Sequence, residues 1–161
     1  TIIGDDTGHS HSLQEKARIL EALDQTGLRS KTRLLGYQPY SVLLDEASRH
    51  HVFLSPSLTA SDGDSEGGAP VSIIDMAATG MPVISSRHCD IPEVLEDGVT
   101  GLLAAEDNID ELEERLCWLI DHPERWTDIA EAARKHIETE FDSSNQGQRL
   151  AMHYESLLAN N

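Results

Sequence analysis

Ser65-Glu66-Gly67-Gly68-Ala69-Pro70-Val71-Ser72-Ile73-Ile74-Asp75-Met76-Ala77-Ala78-Thr79-Gly80-Met81-Pro82-Val83-Ile84 is the stretch on which the reading of the chain turns. It sets a carboxylate, a glycine turn, a helix and an apolar strand in immediate succession. Pro70 suits a first helical residue, because its fixed φ matches the helix and its missing N–H is one that would go unpaired anyway. Gly67 and Gly68 let a ligand come close to the backbone, and the N–H groups of the first turn offer partial positive charge to an anion. A phosphate or a sugar hydroxyl fits such a cradle.

Ile73, Ile74, Ala77 and Ala78 recur at three-to-four spacing and predict a core-facing stripe. Ser72, Asp75 and Thr79 share another face of the helix. Glu66 before the turn and Asp75 inside the helix can then face one cleft, where a carboxylate accepts two hydrogen bonds from a vicinal diol, an arrangement that suits ribose.

Outward from this segment, strands are expected at Thr1–Gly4, Thr32–Gly36, Val52–Ser55 and Pro82–Ser85. Helices are expected at about Ser12–Gln25 and Tyr40–Ser48, and from Pro70. Strands alternating with helices predict a parallel, doubly wound α/β sheet with right-handed crossovers. The remainder reads as helical. Asn108 or Asp110 caps a helix carrying Leu112, Leu116, Leu119 and Ile120; Pro123 starts one carrying Trp126, Ile129, Ala133 and Ile137; a last helix runs from about Ser144 to Leu158. Thr59–Glu66, rich in Ser, Asp and Gly, follows a strand at its carboxyl end, where open α/β sheets bind ligands, and is expected to move on binding.

Five motifs stand in order: Thr1-Ile2-Ile3-Gly4-Asp5-Asp6, Leu35-Gly36-Tyr37-Gln38-Pro39, Val52-Phe53-Leu54-Ser55-Pro56-Ser57, the segment quoted first, and Ile91 through Leu103. Together they resemble the nucleotide-sugar-binding C-terminal domain of retaining GT-B glycosyltransferases, the group 1 or family 4 class, over Thr1 to about Ile120. The resemblance implies a Rossmann-like domain with a helical C-terminal end, and a transfer of sugar to an acceptor hydroxyl with retention and without a metal or other cofactor. It implies Glu66 beside the transferred sugar, Asp75 on the ribose, the backbone of Gly67, Gly68 and Ala69 with Pro70 on sugar and phosphate, and Tyr37 and Gln38 near the base. Two departures stand out: the gap between the acids is one residue longer than usual, and the second acid is Asp75 in place of glutamate.

The resemblance further implies that the family's first strand, with the cations that neutralise the donor diphosphate, and the acceptor-binding domain would precede Thr1. The chain is then expected to be a fragment that is inactive alone. Neighbours of the missing strand close the gap or borrow a strand from a second copy, so a homodimer is an open option. Departure and attack on one face of the sugar, with Glu66 orienting it, is the mechanism implied. A saccharide or lipid-linked acceptor, polysaccharide or glycolipid biosynthesis, and a cytoplasmic place peripheral to the inner membrane belong to the same implication. A non-catalytic nucleotide-binding or interaction module of the same fold is the alternative from another class, and an epimerase or phosphorylase of similar architecture is a third.

The composition is that of one globular domain of 161 residues. Twelve Lys and Arg against 29 Asp and Glu give a net charge of −17, which argues against nucleic acid or an anionic membrane as partner. An anionic donor would have to be held by local donors against that field. Cys89 and Cys117 lack metal-ligand spacing and predict reduced thiols. His9, His11, His50 and His51 read as surface or structural, whereas His88 follows a strand and is expected to face the cleft. Trp118 and Trp126 read as core anchors. The acidic run Glu106–Glu114 reads as a solvated helix face.

Overall fold

The computed structural model describes residues 1–60, 62–65 and 67–159. The chain divides into two compact units, Thr1–His50 and His51–Asn161.

In the first unit, α1 (Ser10–Gln25) and α2 (Tyr40–Ala47) flank two extended segments. Where the sequence predicts strands at Thr1–Gly4 and Thr32–Gly36, the segments meet only through isolated bridges, Ile2 with Leu34 and Gly4 with Gly36. Ile2 N donates to Arg33 O at 2.8 Å, Leu35 N to Ile2 O at 3.1 Å and Gly4 N to Gly36 O at 2.9 Å. Gly36 has φ +66, in the left-handed region, which turns the backbone out of the ladder after those bonds. Glu46 is the buried side chain of this unit among the described residues. Arg33 grips it with both guanidinium nitrogens, at 2.8 and 3.1 Å, and Thr1 Oγ1 donates to it at 3.3 Å. Burial works to raise its pKa, but the hydrogen bonds and charge of Arg33 prevail and hold it below the usual carboxylate range.

The second unit carries a parallel sheet in the order β1 (Phe53–Ser55), β2 (Val83–Ser86), β3 (Leu102–Ala104). β2 begins one residue later than the sequence predicts: Pro82 has no N–H to give the ladder, and its carbonyl instead accepts from Phe53 N at 2.9 Å. All four residues of β2 are buried, as a central parallel strand covered on both faces requires. α3 (Val71–Ala78) packs on β1 and β2 and against α6 (Trp126–Glu140). Its buried residues are Ile73, Met76 and Ala77, so Met76 takes the inner place that the spacing gave to Ile74 and Ala78, which are half-buried.

A short α4 (Ile91–Val94), which the sequence reading left without a helix, connects β2 to β3. α5 (Ile109–Asp121) starts at Asn108, whose side chain accepts from Glu111 N at 3.0 Å. It packs on β2 and β3 and brings Leu119 to Ile84, Leu102 and Ile129, with Leu112, Leu116, Trp118 and Trp126 around them. Ile120, expected in that stripe, is exposed. Both tryptophans anchor the core, and Trp126 Nε1 donates to Leu119 O at 2.6 Å. Pro123 opens a 3-10 turn (Pro123–Arg125) in place of the α-helix, which starts at Trp126. α7 (Ser143–Ala159) ends the described chain.

The acidic run is a solvated face only in part. Glu111 Oε2 accepts from Ala105 N at 2.7 Å, and its Oε1 from Arg87 at 3.1 Å and Arg115 at 3.0 Å. Both arginines also pair with Asp97, at 2.6 and 3.5 Å. The Ala105 N–H and the two guanidinium groups hold Glu111 down at about 2. Sequence spacing gives no sign of this knot, because its members are brought together only when β2, β3 and α5 assemble.

Two outcomes follow for stability. Ile84→Ala, at a fully buried centre of the core, should cost about 2–5 kcal/mol in urea unfolding. Glu111 contributes stability that is present above its unfolded pKa of about 4.5 and is lost as pH falls through about 2. Glu111→Gln should therefore lower stability at neutral pH and flatten its decline across that interval, as read from thermal melts at stepped pH.

Candidate functional site at the carboxyl edge of the parallel sheet

The carboxyl ends of β1, β2 and β3 release three loops, and each is pinned to its neighbour. Ser85 Oγ donates to Ser55 O at 2.7 Å. Ser86 Oγ accepts from Ser57 N at 2.9 Å and donates to Ser57 O. Arg87 N donates to Ala104 O at 2.8 Å, carrying the ladder one residue past β2. These bonds fix where the loop beginning at Pro56 and the loop Arg87-His88-Cys89-Asp90 leave the sheet.

The glycine turn stands beside the second of those loops. Gly67 has φ +67, a conformation that a side chain resists, and beyond its chain neighbours no atom of the described residues lies within 4 Å of where its Cβ would be. At Gly68 a Cβ would meet Asp90 Oδ2 at 3.8 Å. Ala69 and Pro70 are half-buried, and Pro70 has φ −58 and ψ 131. It is thus the N-cap residue of α3, and the first helical residue is Val71, a correction of one position from the sequence reading. The ψ of Pro70 is extended because the chain is still turning out of the glycines there. Among the described residues no side chain caps α3. Its first turn keeps the N–H donors and dipole end that an anion or hydroxyl would use.

Asp75 is half-buried on α3, and its carboxylate has no hydrogen bond or ion pair among the described residues. Glu66 lies outside the described residues. Tyr37 and Gln38 belong to the first unit, with Tyr37 exposed and Gln38 Nε2 donating to Leu35 O at 2.6 Å. The structure thus gathers Gly67, Gly68, Ala69, Pro70 and Asp75 within the second unit.

His88 and Glu106 supply a part of this edge that the sequence reading assigned differently. His88 is buried, where the sequence placed it facing the cleft. Its Nδ1 lies 3.1 Å from Glu106 Oε2, and Glu106 Oε1 accepts from Thr59 N at 2.6 Å. The Thr59 N–H first, and His88 second, hold the Glu106 carboxyl below the usual range. The loop after β1 is thereby tied to the loop after β3 through one carboxylate. Glu106 is missed in sequence because it sits among five other acids with no periodicity to set it apart.

The first unit holds a cleft of its own, about 600 Å³, lined by Ile2, Ile19, Leu20 and Leu34 with Asp5, Asp6 and Lys16 at its polar end. Lys16 bridges both aspartates, lies 2.9 Å from Asp6 Oδ2, and has its pKa raised by them.

The model of the family described as glycosyl transferases group 1 matches residues 1–136. This chain belongs to that family. It is 37% identical over 139 residues to the amylovoran biosynthesis glycosyltransferase AmsK of Erwinia amylovora, covering 84% of this chain and 33% of that protein. It is 33% identical over 139 residues to the putative colanic acid biosynthesis glycosyltransferase WcaL of Salmonella typhimurium, covering 83% and 33%. The structure of Anabaena HepE in complex with UDP-glucose superposes with a TM-score of 0.75 at 21% identity, over 96% of this chain and 40% of that one. The fold is therefore the GT-B glycosyltransferase fold, and the chain spans about a third of the length of the curated relatives it matches. Among the described residues, no helix is long and apolar enough to cross a membrane.

The glycine turn makes a differential prediction. Gly67→Ala forces a side chain into the left-handed region and should cost about 1–2 kcal/mol. Gly68→Ala meets only ordinary contact with Asp90 and should stay within about 0.5 kcal/mol. Paired thermal melts of the two variants check both.

Proposed function

We propose that this chain is the donor-binding part of a retaining, family 4 hexosyltransferase that moves a sugar from a nucleotide sugar to an acceptor hydroxyl in polysaccharide or glycolipid biosynthesis. The observation that carries the reading is the left-handed Gly67 turn opening onto the uncapped start of α3 at the carboxyl edge of a parallel sheet, in a chain of this family. AmsK and WcaL, named for amylovoran and colanic acid biosynthesis, support the polysaccharide role. HepE, solved with UDP-glucose, supports a nucleotide-sugar donor.

In this reading the N–H groups of Gly67, Gly68 and Ala69 and the dipole end of α3 meet the donor diphosphate. That supply of donors matters because the chain's net charge of −17 repels an anion. Charge developing on the departing diphosphate is stabilised by donors already in place, which need no reorganisation as the bond breaks. Asp75 accepts from the ribose hydroxyls, through water where its shorter side chain falls short. Glu66 orients the transferred sugar, and the family resemblance assigns Tyr37 and Gln38 to the base. Departure of the diphosphate and attack of the acceptor on one face account for retention without a protein nucleophile or a metal. Acceptor recognition is assigned to the part of the relatives that this chain does not span. A cytoplasmic site of action, peripheral to the membrane, completes the reading.

Ligand-observed NMR of the whole polypeptide against UDP-, GDP- and ADP-sugars tests it. One donor should bind selectively, and Asp75→Ala should weaken it about tenfold or more, the loss of hydrogen bonds to a charged group. In an enzyme that also carries the acceptor-binding part, Glu66→Ala should depress turnover. Absence of binding to all three donors, or turnover untouched by Glu66→Ala, would sink the proposal.

A further inference from the structure

Cys89, His88 and Glu106 form a chain of contacts that the reading above does not use. His88 Nε2 lies 3.2 Å from Cys89 Sγ, and His88 Nδ1 lies 3.1 Å from Glu106 Oε2. Glu106 also accepts the Thr59 N–H at 2.6 Å, and its carboxyl is held in the ionised, acceptor-only form. The hydrogen between Glu106 and His88 must then reside on Nδ1. That leaves the Nε2 lone pair as an acceptor aimed at the thiol. The imidazole is buried and cannot swing away, whereas the thiol is exposed. Cys89 itself has φ +43, one of two positive-φ positions outside glycine among the described residues. Backbone strain of this kind persists only where surrounding contacts enforce it.

A nucleophile, a base within hydrogen-bond reach and a third group fixing the base's tautomer are what an activated nucleophile requires. Cys117, exposed on α5, has no such partner among the described residues and serves as the internal comparison.

From this geometry we infer that Cys89 is a base-assisted thiol and a site of mixed-disulfide formation with small disulfides beside the glycine turn. His88 Nε2 takes the Sγ proton as Sγ attacks one sulfur of the incoming disulfide. The new Sγ–S bond forms, the original S–S bond breaks, and the departing thiolate recovers the proton from His88. Cys89 is oxidised and the small disulfide is reduced to one free thiol, so no other oxidant enters. Sγ lies 3.9 Å from Ser65 Oγ, and the next residue, Asp90, faces Gly68, so the added group is seated beside the glycine turn. The thiol's reactivity stands apart from the donor reading and does not depend on it.

The test is thiolation of the whole reduced polypeptide by oxidised glutathione at neutral pH, followed by peptide-resolved mass spectrometry. Cys89 should be modified at least about tenfold faster than Cys117. Glu106→Gln, a conservative change at a partly exposed position, should slow Cys89 toward the Cys117 rate and leave Cys117 unaffected, and His88→Gln should do the same. Equal rates at the two cysteines in the unaltered protein, or a fast Cys89 indifferent to both substitutions in folded variants, would overturn the inference.

Discussion

A strand buried on both faces cannot leave a hydroxyl unpaired without a penalty of about 1–3 kcal/mol, and β2 ends in two of them. Ser85 and Ser86 discharge that constraint sideways, onto Ser55 and onto both backbone groups of Ser57. The strand that forms the centre of the core therefore also dictates how the preceding loop leaves the sheet. A Val at position 85 would take this donor from the Ser55 carbonyl, and one at position 86 would release Ser57. The exit of the loop after β1 is in this sense a consequence of two serines in an otherwise apolar strand.

What carries the loops past the sheet is a set of carboxylates used as two-ended clasps. Glu106 joins Thr59 to His88, and Glu111 joins the backbone of Ala105 to Arg87 and Arg115. Each accepts on both oxygens, so each ties segments far apart in sequence. Arg87, the cation nearest the β2 loop, is committed to Asp97 and Glu111. The charge of Arg87 is thus spent within the protein rather than offered to an anion.

Much of this was legible from residues, in proportion to how local the determinant is. Ile73 and Ala77 of the α3 stripe, the Asn108 cap and the tryptophan anchors rest on spacing within one turn or on a single side chain, and the sequence carries them. The parallel layer follows from the alternation of strands and helices. The misplaced details are those that depend on partners: Pro70 moved to the cap because the glycine turn before it sets its ψ, and Met76 is buried in place of Ile74 on a helix packed against both the sheet and α6. The first extended pair shortened to bridges because Gly36 turns left-handed there. Glu106 and Glu111 were unreadable because an acid on a helix face and an acid in a clasp have the same local sequence. The family resemblance named the cradle residues, but it had nothing to say of His88 and Cys89, whose contacts arise from the β2 loop of this chain.

Residues 1–50 present a different balance. Their buried side chain among those described is the carboxylate of Glu46, under two arginines, with no apolar side chain as deeply enclosed. Such a body opens without exposing much apolar surface to water, which makes local opening less costly there than around β2. Acid sharpens the contrast, since protonating Glu46 cancels the attraction that holds Arg33 over it. Cohesion is thereby uneven along the polypeptide: a charge-latched leading part, an apolar core around β2, and α7 with no buried residue.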